Sequence, residues 1–507
     1  MGKIVGWRPL IGLFALVFCA YGYFYQAGGW NQNSRFDLVR ANVEQGTSRI
    51  DTYHRNTGDK ACRGPSGRCV KAGPGTHFYC DKAPGASWLA TPSYAVLYWI
   101  AGDETPSPDF LAFGAYIGSI TSVALPSALS VVALFWLLLL FGIPRRTSLG
   151  LGLGYGLATL AFPYATLFYG HQLAAALLLL GFAALVGERK GAVVLGRLGL
   201  FAAGAALGLS VVVEYPSAVP LIAISVYALS WMRPWQRLAW LAAGIAVPGL
   251  CCAAYHWMVF GGPATLPYEF STQPHRSQGF FMGLGVPELH VLRELLVGHY
   301  RGLLYSAPWL AAAVPGAVLM FRHRSHRAEL YVSLVIVAFV FWLNASLVDW
   351  QGGWAMGPRY LISAIPFLVI MASGLFLPGA IGNAKLRTAF AAIVLALGLH
   401  SAHMMFMGAA VKPEVPSHIK APYKDYLRPS FAQGKLSIST QGIDMPNAPR
   451  RAEAKAWNLG QKVFGLKGRA SLVPLLVIQL LLLGWLWRRL QQSTPPTGRR
   501  EMPRKNV

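Results

Sequence analysis

Apolar residues along the chain gather into runs of about 20, the length that crosses a bilayer as a helix, separated by short polar connections. That window predicts about twelve helices, at 9–26, 117–143, 149–168, 171–187, 195–212, 216–232, 239–260, 303–321, 329–348, 361–379, 388–407 and 471–487. The first run follows Lys3 and Arg8 and resembles a signal peptide. No small-residue cleavage site comes after Cys19-Ala20, which favours an anchor over a cleaved leader. Two polar-flanked stretches differ from the rest. Residues 35–50 (RFDLVRANVEQGTSRI) put Phe36, Leu38, Val39, Ala41 and Val43 near one helical face, predicting a helix at the bilayer surface. Residues 86–101 are apolar but short and carry Pro92, predicting a second interfacial or re-entrant helix. The expected fold class is an all-α polytopic membrane protein with about twelve transmembrane helices and interfacial helices in its first outer loop. It divides into a core at 1–407 containing the outer loop 27–116, a further outer loop at 408–470, and a last span with a basic tail at 471–507.

Composition sharpens this picture. The 507 residues are 54% hydrophobic and 13% charged, with a mean hydropathy of +0.42, whereas a soluble domain carries about 25% charged residues. A water-soluble enzyme is disfavoured, and 16 Trp, 21 Tyr and 26 Phe exclude a disordered chain. The net charge of +24 is spread over short clusters between apolar runs. No soluble basic face results, so nucleic acid is not an expected partner and anionic lipid is. The clusters at Arg145-Arg146, Glu188-Arg189-Lys190, Arg233 and Arg237, Arg322 to Arg327, Lys385 and Arg387, and Arg488-Arg489 fall on alternate connections. Twelve crossings put them all in the cytoplasm with both termini. Of 20 acids, only Glu188, Glu329 and Glu501 then stay inside. Chemistry is expected outside.

The first outer loop is richest in polar chemistry. A carboxylate there can take a proton from a hydroxyl while a neighbouring ammonium holds a phosphate oxygen, and Asp81-Lys82 supplies that juxtaposition. Cys62 and Cys69 share the loop and either close a small disulfide or stay a free pair. No GxxxxGK[ST] loop and no cytoplasmic segment large enough for a nucleotide-binding domain is present. Glu214 lies between Val211-Val212-Val213 and Tyr215-Pro216, where a carboxylate must face the protein interior or a wet cavity. His171 opens another apolar run. The segment Asp349 to Tyr360 (DWQGGWAMGPRY) combines a glycine turn, Trp354 suited to sugar stacking or to an aromatic belt, and Arg359 suited to bidentate phosphate contact. The outer carboxylates leave room for a divalent metal, although no spacing demands one, and no other cofactor is expected.

The run HFYCDKAPGASWLATPSY, downstream of an NSR-containing first helix, resembles the GT-C superfamily of polytopic glycosyltransferases. The branch it is similar to holds bacterial relatives of protein O-mannosyltransferases and of the lipid A aminoarabinose transferase. The resemblance implies a GT-C-like fold and a polyprenyl-phosphate-linked sugar donor. It also implies an acidic base in the first outer loop and a lysine that contacts the lipid phosphate. Tyr79 and Lys82 match the Tyr-x-x-Lys pattern, with Ala83-Pro84 in place of two prolines. The acidic pair expected before the Arg-aromatic of the first helix does not match, since the chain reads Gln32-Asn33-Ser34-Arg35-Phe36. Asp51 is the substitute base, with Asp59 and Asp81 behind it. Arg35, Tyr79, Lys82, His171, Glu214, Trp354, Arg359 and Tyr360 are the expected substrate contacts.

The expected reaction is inverting transfer of the sugar to a hydroxyl acceptor, whether on a glycan, a lipid or a protein, at the periplasmic face. The rivals are a secondary transporter or a flippase of lipid-linked sugars, and a polymerase or ligase of lipid-linked glycans.

Overall fold

Helix breaks and buried polar groups organise the apolar runs into a bundle with a polar cap at one end. The computed structural model describes residues 6–69, 73–102, 106–278, 283–439 and 455–492. Lys3, Glu501 and the basic tail ending Arg504-Lys505-Asn506-Val507 lie outside them. Among the described residues seven helices are long and apolar enough to cross a membrane: Pro108–Leu140, Gly170–Arg189, Gln236–Phe260, Arg324–Ala345, Arg359–Phe376, Ala384–Val411 and Gly468–Gln491. Shorter apolar helices occupy Trp7–Gly22, Arg197–Val213, Tyr215–Leu229 and Pro308–Arg322. The expected segments are therefore of two kinds, long and broken.

Local chemistry explains the breaks. The segment expected at 149–168 splits into Arg145–Leu157 and Ala161–Ala165. There Thr159 turns its hydroxyl onto the Tyr155 carbonyl (2.6 Å) and accepts from the Ala161 N–H (3.2 Å). The segment expected from 117 starts earlier, at Pro108, where Ser107 accepts from the Phe110 N–H (3.2 Å). It widens by a residue over Ile120–Ala124, just before Pro126, which has no N–H for the Ser122 carbonyl. Helices Arg197–Val213 and Gln236–Phe260 approach backbone to backbone. A Cβ on Gly204, Gly208 or Gly244 would run into the facing carbonyl of Leu241, Ile245 or Phe201.

At one end of the bundle the basic connections meet. Arg237 pairs with Glu188, Lys190 reaches the Ser325 carbonyl (3.1 Å), and Lys190 and Arg189 flank Glu329 at 3.7 and 3.9 Å.

The other end carries the first loop, and two expectations change there. The helix expected on the bilayer surface is Trp30–Glu44, and it is enclosed by protein nearly all round, with Arg35, Asp37 and Arg40 no more than 1% exposed. Its polar side chains find partners inside: Asn33 donates to the Asn56 carbonyl (3.1 Å), Asn56 to Asp37 (3.1 Å) and Arg40 to Glu44 (2.8 Å). Glu44 also accepts from the hydroxyls of Tyr53 (2.9 Å) and Tyr94 (2.6 Å), which ties the loop down. The second helix, Gly85–Ala101, buries Ala86, Ala90 and Tyr94 while Val96, Trp99 and Ile100 are exposed.

The all-α expectation also fails locally. Lys60–Gly64, Gly67–Arg68 and His77–Cys80 form a three-stranded antiparallel sheet, closed by the Cys62–Cys69 disulfide. Cross-strand pairing uses the backbone groups of a loop too polar for a helical apolar face. Far along the chain, Trp457–Asn458 pairs antiparallel with Phe24–Tyr25, and the Tyr23 hydroxyl donates to the Ser471 carbonyl (2.6 Å).

Candidate active site

Three interruptions of regular structure meet at the capped end. Helix Arg197–Val213 stops at Glu214, which is extended at φ −146° and ψ 107°, because Pro216 cannot donate to the Val212 carbonyl. Helix Gly170–Arg189 begins after Tyr169. The segment from Asp349 to Tyr360 turns back through Gly352 and Gly353 at φ 66° and 60°, a region that glycine enters without steric cost. Between these elements lies a cavity of about 300 Å³ whose polar wall includes His171, Glu214, Asn344, Asp349, Arg359 and Tyr360.

Charge is distributed unevenly around it. Arg35 donates to Glu214 (3.0 Å), to Asn31 (3.0 Å) and to the Ala83 carbonyl (3.1 Å). Glu214 thus has its counter-charge from the first loop, and His171 Nδ1 stands 3.4 Å from the same oxygen. Lys82 Nζ sits 3.1 Å from Asp59 and 3.0 Å from Asp81, and Asp81 also accepts from Ser271 (2.9 Å). Two carboxylates on one ammonium leave that trio negative, which disfavours an added phosphate by about 1–4 kcal/mol at 4 Å, depending on the local dielectric.

Arg359 is different. Its Nη1 donates to the Tyr169 hydroxyl (3.2 Å), and its guanidinium lies 5.3 Å from the ring centres of both Tyr169 and Tyr360. Its Nε is buried without a hydrogen-bond partner, and among the described residues no carboxylate lies within ion-pair distance of it. The Tyr360 ring meets His171 edge-on at 5.4 Å.

Behind this group are two residues that the sequence did not single out. Glu414 accepts from the Tyr169 hydroxyl (2.5 Å) and from Gln32 (3.0 Å). Burial raises its pKa, while Tyr169, Lys412, Arg359 and Gln32 pull it back. Its carboxylate occupies the space where a Cβ on Gly29 would stand, and Gly29 itself takes φ 91°. Arg301 donates to the carbonyls of Gln351, Gly353 and Ala355 (2.7 Å each) and of Tyr300 (3.1 Å). One guanidinium thus pins the turn that precedes Arg359. Glu414 is one of four acids in a basic loop, with Asp425, Asp444 and Glu453, and no local spacing marks either residue.

The structure brings Arg35, His171, Glu214, Arg359 and Tyr360 together, with Lys82, Asp59 and Asp81 in a second group joined to the first through Arg35 and Ala83. Three expected residues lie outside both. Asp51 accepts from the Phe78 N–H (2.6 Å) and pairs with His77 Nδ1 (2.8 Å), so it holds the edge of the small sheet and lines no part of the cavity. The Tyr79 ring packs edge-on against Phe260 at 5.7 Å. Trp354 is 41% exposed, with Lys412 Nζ 5.2 Å over its ring. Among the described residues no group of three or more His, Cys, Asp or Glu side chains is arranged to hold a metal ion.

Neither a family model nor a curated protein matches the chain. Among the solved structures similar to it are two of one protein. ArnT from Cupriavidus metallidurans bound to undecaprenyl phosphate is 16% identical, with 79% of this chain and 75% of that one covered and a TM-score of 0.47. The same protein in the apo state is 17% identical, with 94% and 74% covered and a TM-score of 0.44.

Proposed function

We propose that this protein is a GT-C-like glycosyltransferase that moves a sugar from a polyprenyl-phosphate donor to a hydroxyl acceptor on the periplasmic face of a bacterial inner membrane. The reading takes all twelve apolar segments as crossings, with both termini in the cytoplasm, the loops 27–116 and 408–470 outside, and anionic lipid against the basic connections. The observation that carries it is Arg359, a half-buried guanidinium on a cavity wall that donates to the Tyr169 hydroxyl and, among the described residues, has no carboxylate within ion-pair distance. Burying a charge without an opposite charge is costly, and a lipid phosphate would offset that cost with bidentate hydrogen bonds.

In this mechanism Glu214 takes the proton of the acceptor hydroxyl. The acceptor oxygen then bonds to the anomeric carbon from the face opposite the phosphate, and the bond from that carbon to the phosphate oxygen breaks with inversion. Polyprenyl phosphate leaves with the electron pair, and Arg359 stabilises the negative charge growing on its oxygen. The base moves here from Asp51 to Glu214, since Asp51 is engaged with the backbone of the small sheet and Glu214 shares the cavity with Arg359. Lys82, clamped by Asp59 and Asp81, holds the loop that presents Arg35 to Glu214.

The test is incubation of purified protein with undecaprenyl-phosphate sugars. Free undecaprenyl phosphate is expected only when a hydroxyl acceptor is added, and movement of intact donor across a vesicle membrane without cleavage would favour the flippase instead. Arg359→Ala should weaken undecaprenyl phosphate binding about 10–100-fold, the equivalent of one charge-assisted hydrogen bond. Unchanged affinity would remove Arg359 from the phosphate site.

A further inference from the structure

Asn344 stands near the end of helix Arg327–Ala345, in apolar company. Phe339, Val340, Leu343 and Leu347 line the same cavity. The residue is 1% exposed, yet neither its Oδ1 nor its Nδ2 has a hydrogen-bond partner. Its backbone does not need the side chain, because the Asn344 carbonyl accepts from the Leu347 N–H (3.2 Å). Each unsatisfied buried group costs about 1–3 kcal/mol, and packing alone would be served as well by leucine, of similar size. A buried amide with both ends open calls for a ligand or a water that completes it.

The cavity narrows the choice. His171 Nε2 is also buried without a partner, while its Nδ1 faces Glu214 at 3.4 Å. Arg359 supplies the cation for a phosphate. The amide has no charge to offer, but it has one good acceptor and two donor hydrogens side by side. A cationic substituent would find Glu214 already paired with Arg35 at 3.0 Å. The space of about 300 Å³ is at the small end of ligand pockets and suits one sugar ring with its phosphate.

Resting on the reading of the site as a lipid-phosphate-sugar pocket, we infer that Asn344 binds the carried sugar. It pairs with a neutral group that both donates and accepts hydrogen bonds, either a ring hydroxyl or an N-acyl amide.

The experiment measures binding of three probes to the full chain in nanodiscs: undecaprenyl phosphate, undecaprenyl-phosphate-glucose and undecaprenyl-phosphate-N-acetylglucosamine. Asn344→Leu should leave undecaprenyl phosphate affinity within about twofold and weaken a sugar-bearing probe about tenfold, the size of one lost hydrogen bond. Equal weakening of both sugar probes identifies a hydroxyl, and weakening of the N-acetylglucosamine probe alone identifies the amide. Asn344→Ser, which shortens the reach without adding bulk, carries the same expectation should the leucine variant fail to fold. Unchanged affinity for all three probes means that the amide holds water only and overturns the inference. So does an equal loss for undecaprenyl phosphate itself. If the native chain binds none of the three, the proposed function falls, and the inference with it.

Discussion

The two ends of the bundle treat buried charge in opposite ways. At the basic end Glu329, 1% exposed, accepts from the Tyr227 hydroxyl (2.8 Å) and is flanked by Lys190 and Arg189 at 3.7 and 3.9 Å, while Glu188 takes Arg237. Arg189, Lys190 and Arg237 each have an acid within reach, and this cluster needs nothing from outside. At the capped end Arg35 and Lys82 are likewise neutralised, but Arg359 rests on a phenol and Asn344 on nothing. The difference separates charge that holds helices together from charge kept ready for a ligand. Burial alone does not distinguish the two; the absence of a partner does.

Three changes would break or sharpen the contrast. The largest effect is expected from Glu214→Gln, which removes the proposed base and should lower turnover about 10²–10⁴-fold while undecaprenyl phosphate binding stays within a few-fold. Normal single-turnover kinetics in that variant would return the base to Asp59, Asp81 or Asp51. At the basic end, Glu329→Ala leaves Arg189 and Lys190 without their shared acid and should cost about 3–5 kcal/mol of stability, read by thermal unfolding in detergent. Donor affinity of the folded fraction should not change, and a selective loss of donor binding would show that the two ends are coupled. The smallest effect concerns pH. Burial and the nearby Lys60 lower the His54 pKa from 6.5 to about 4, and its ring stacks on Phe78 at 3.9 Å. Between those values the unfolded loop binds a proton that the folded loop does not. Stability at the capped end is therefore full above pH 6.5 and is lost as pH falls toward 4. Hydrogen exchange over residues 50–80 should speed up on acidification in the native chain and less so in His54→Gln.

Much of the helical architecture was legible because membrane-length apolar runs announce themselves. The helix at 197–213, for example, lies almost where hydropathy put it, and Glu214 marks its end as a costly carboxylate should. What stayed hidden depends on partners far away in the chain. Arg35 meets Glu214 across 179 positions, and Tyr169 meets Glu414 across 245, separations that carry no periodicity. Local adjacency worked for Asp81-Lys82, which do pair, but could not reveal that Asp59 completes the group. Asp51 stands out in the sequence for its place in a polar loop; a loop carboxylate can just as well cap backbone N–H groups, and this one does. The first-loop helix reads as a surface helix because its apolar face is visible in the sequence, whereas the protein partners that bury its polar face are not. Asn344 lies in an apolar helix where nothing but its own polarity sets it apart.

The first helix of the chain finds its neighbour in the last. Gln479 donates to the Leu16 carbonyl (2.8 Å), and Gly12 leaves the space that the Trp485 indole fills. During synthesis at about 5–20 residues per second, Leu16 must therefore wait roughly half a minute to a minute and a half before that contact can form. Until then the newborn segment presents an unsealed flank to lipid or to insertion machinery.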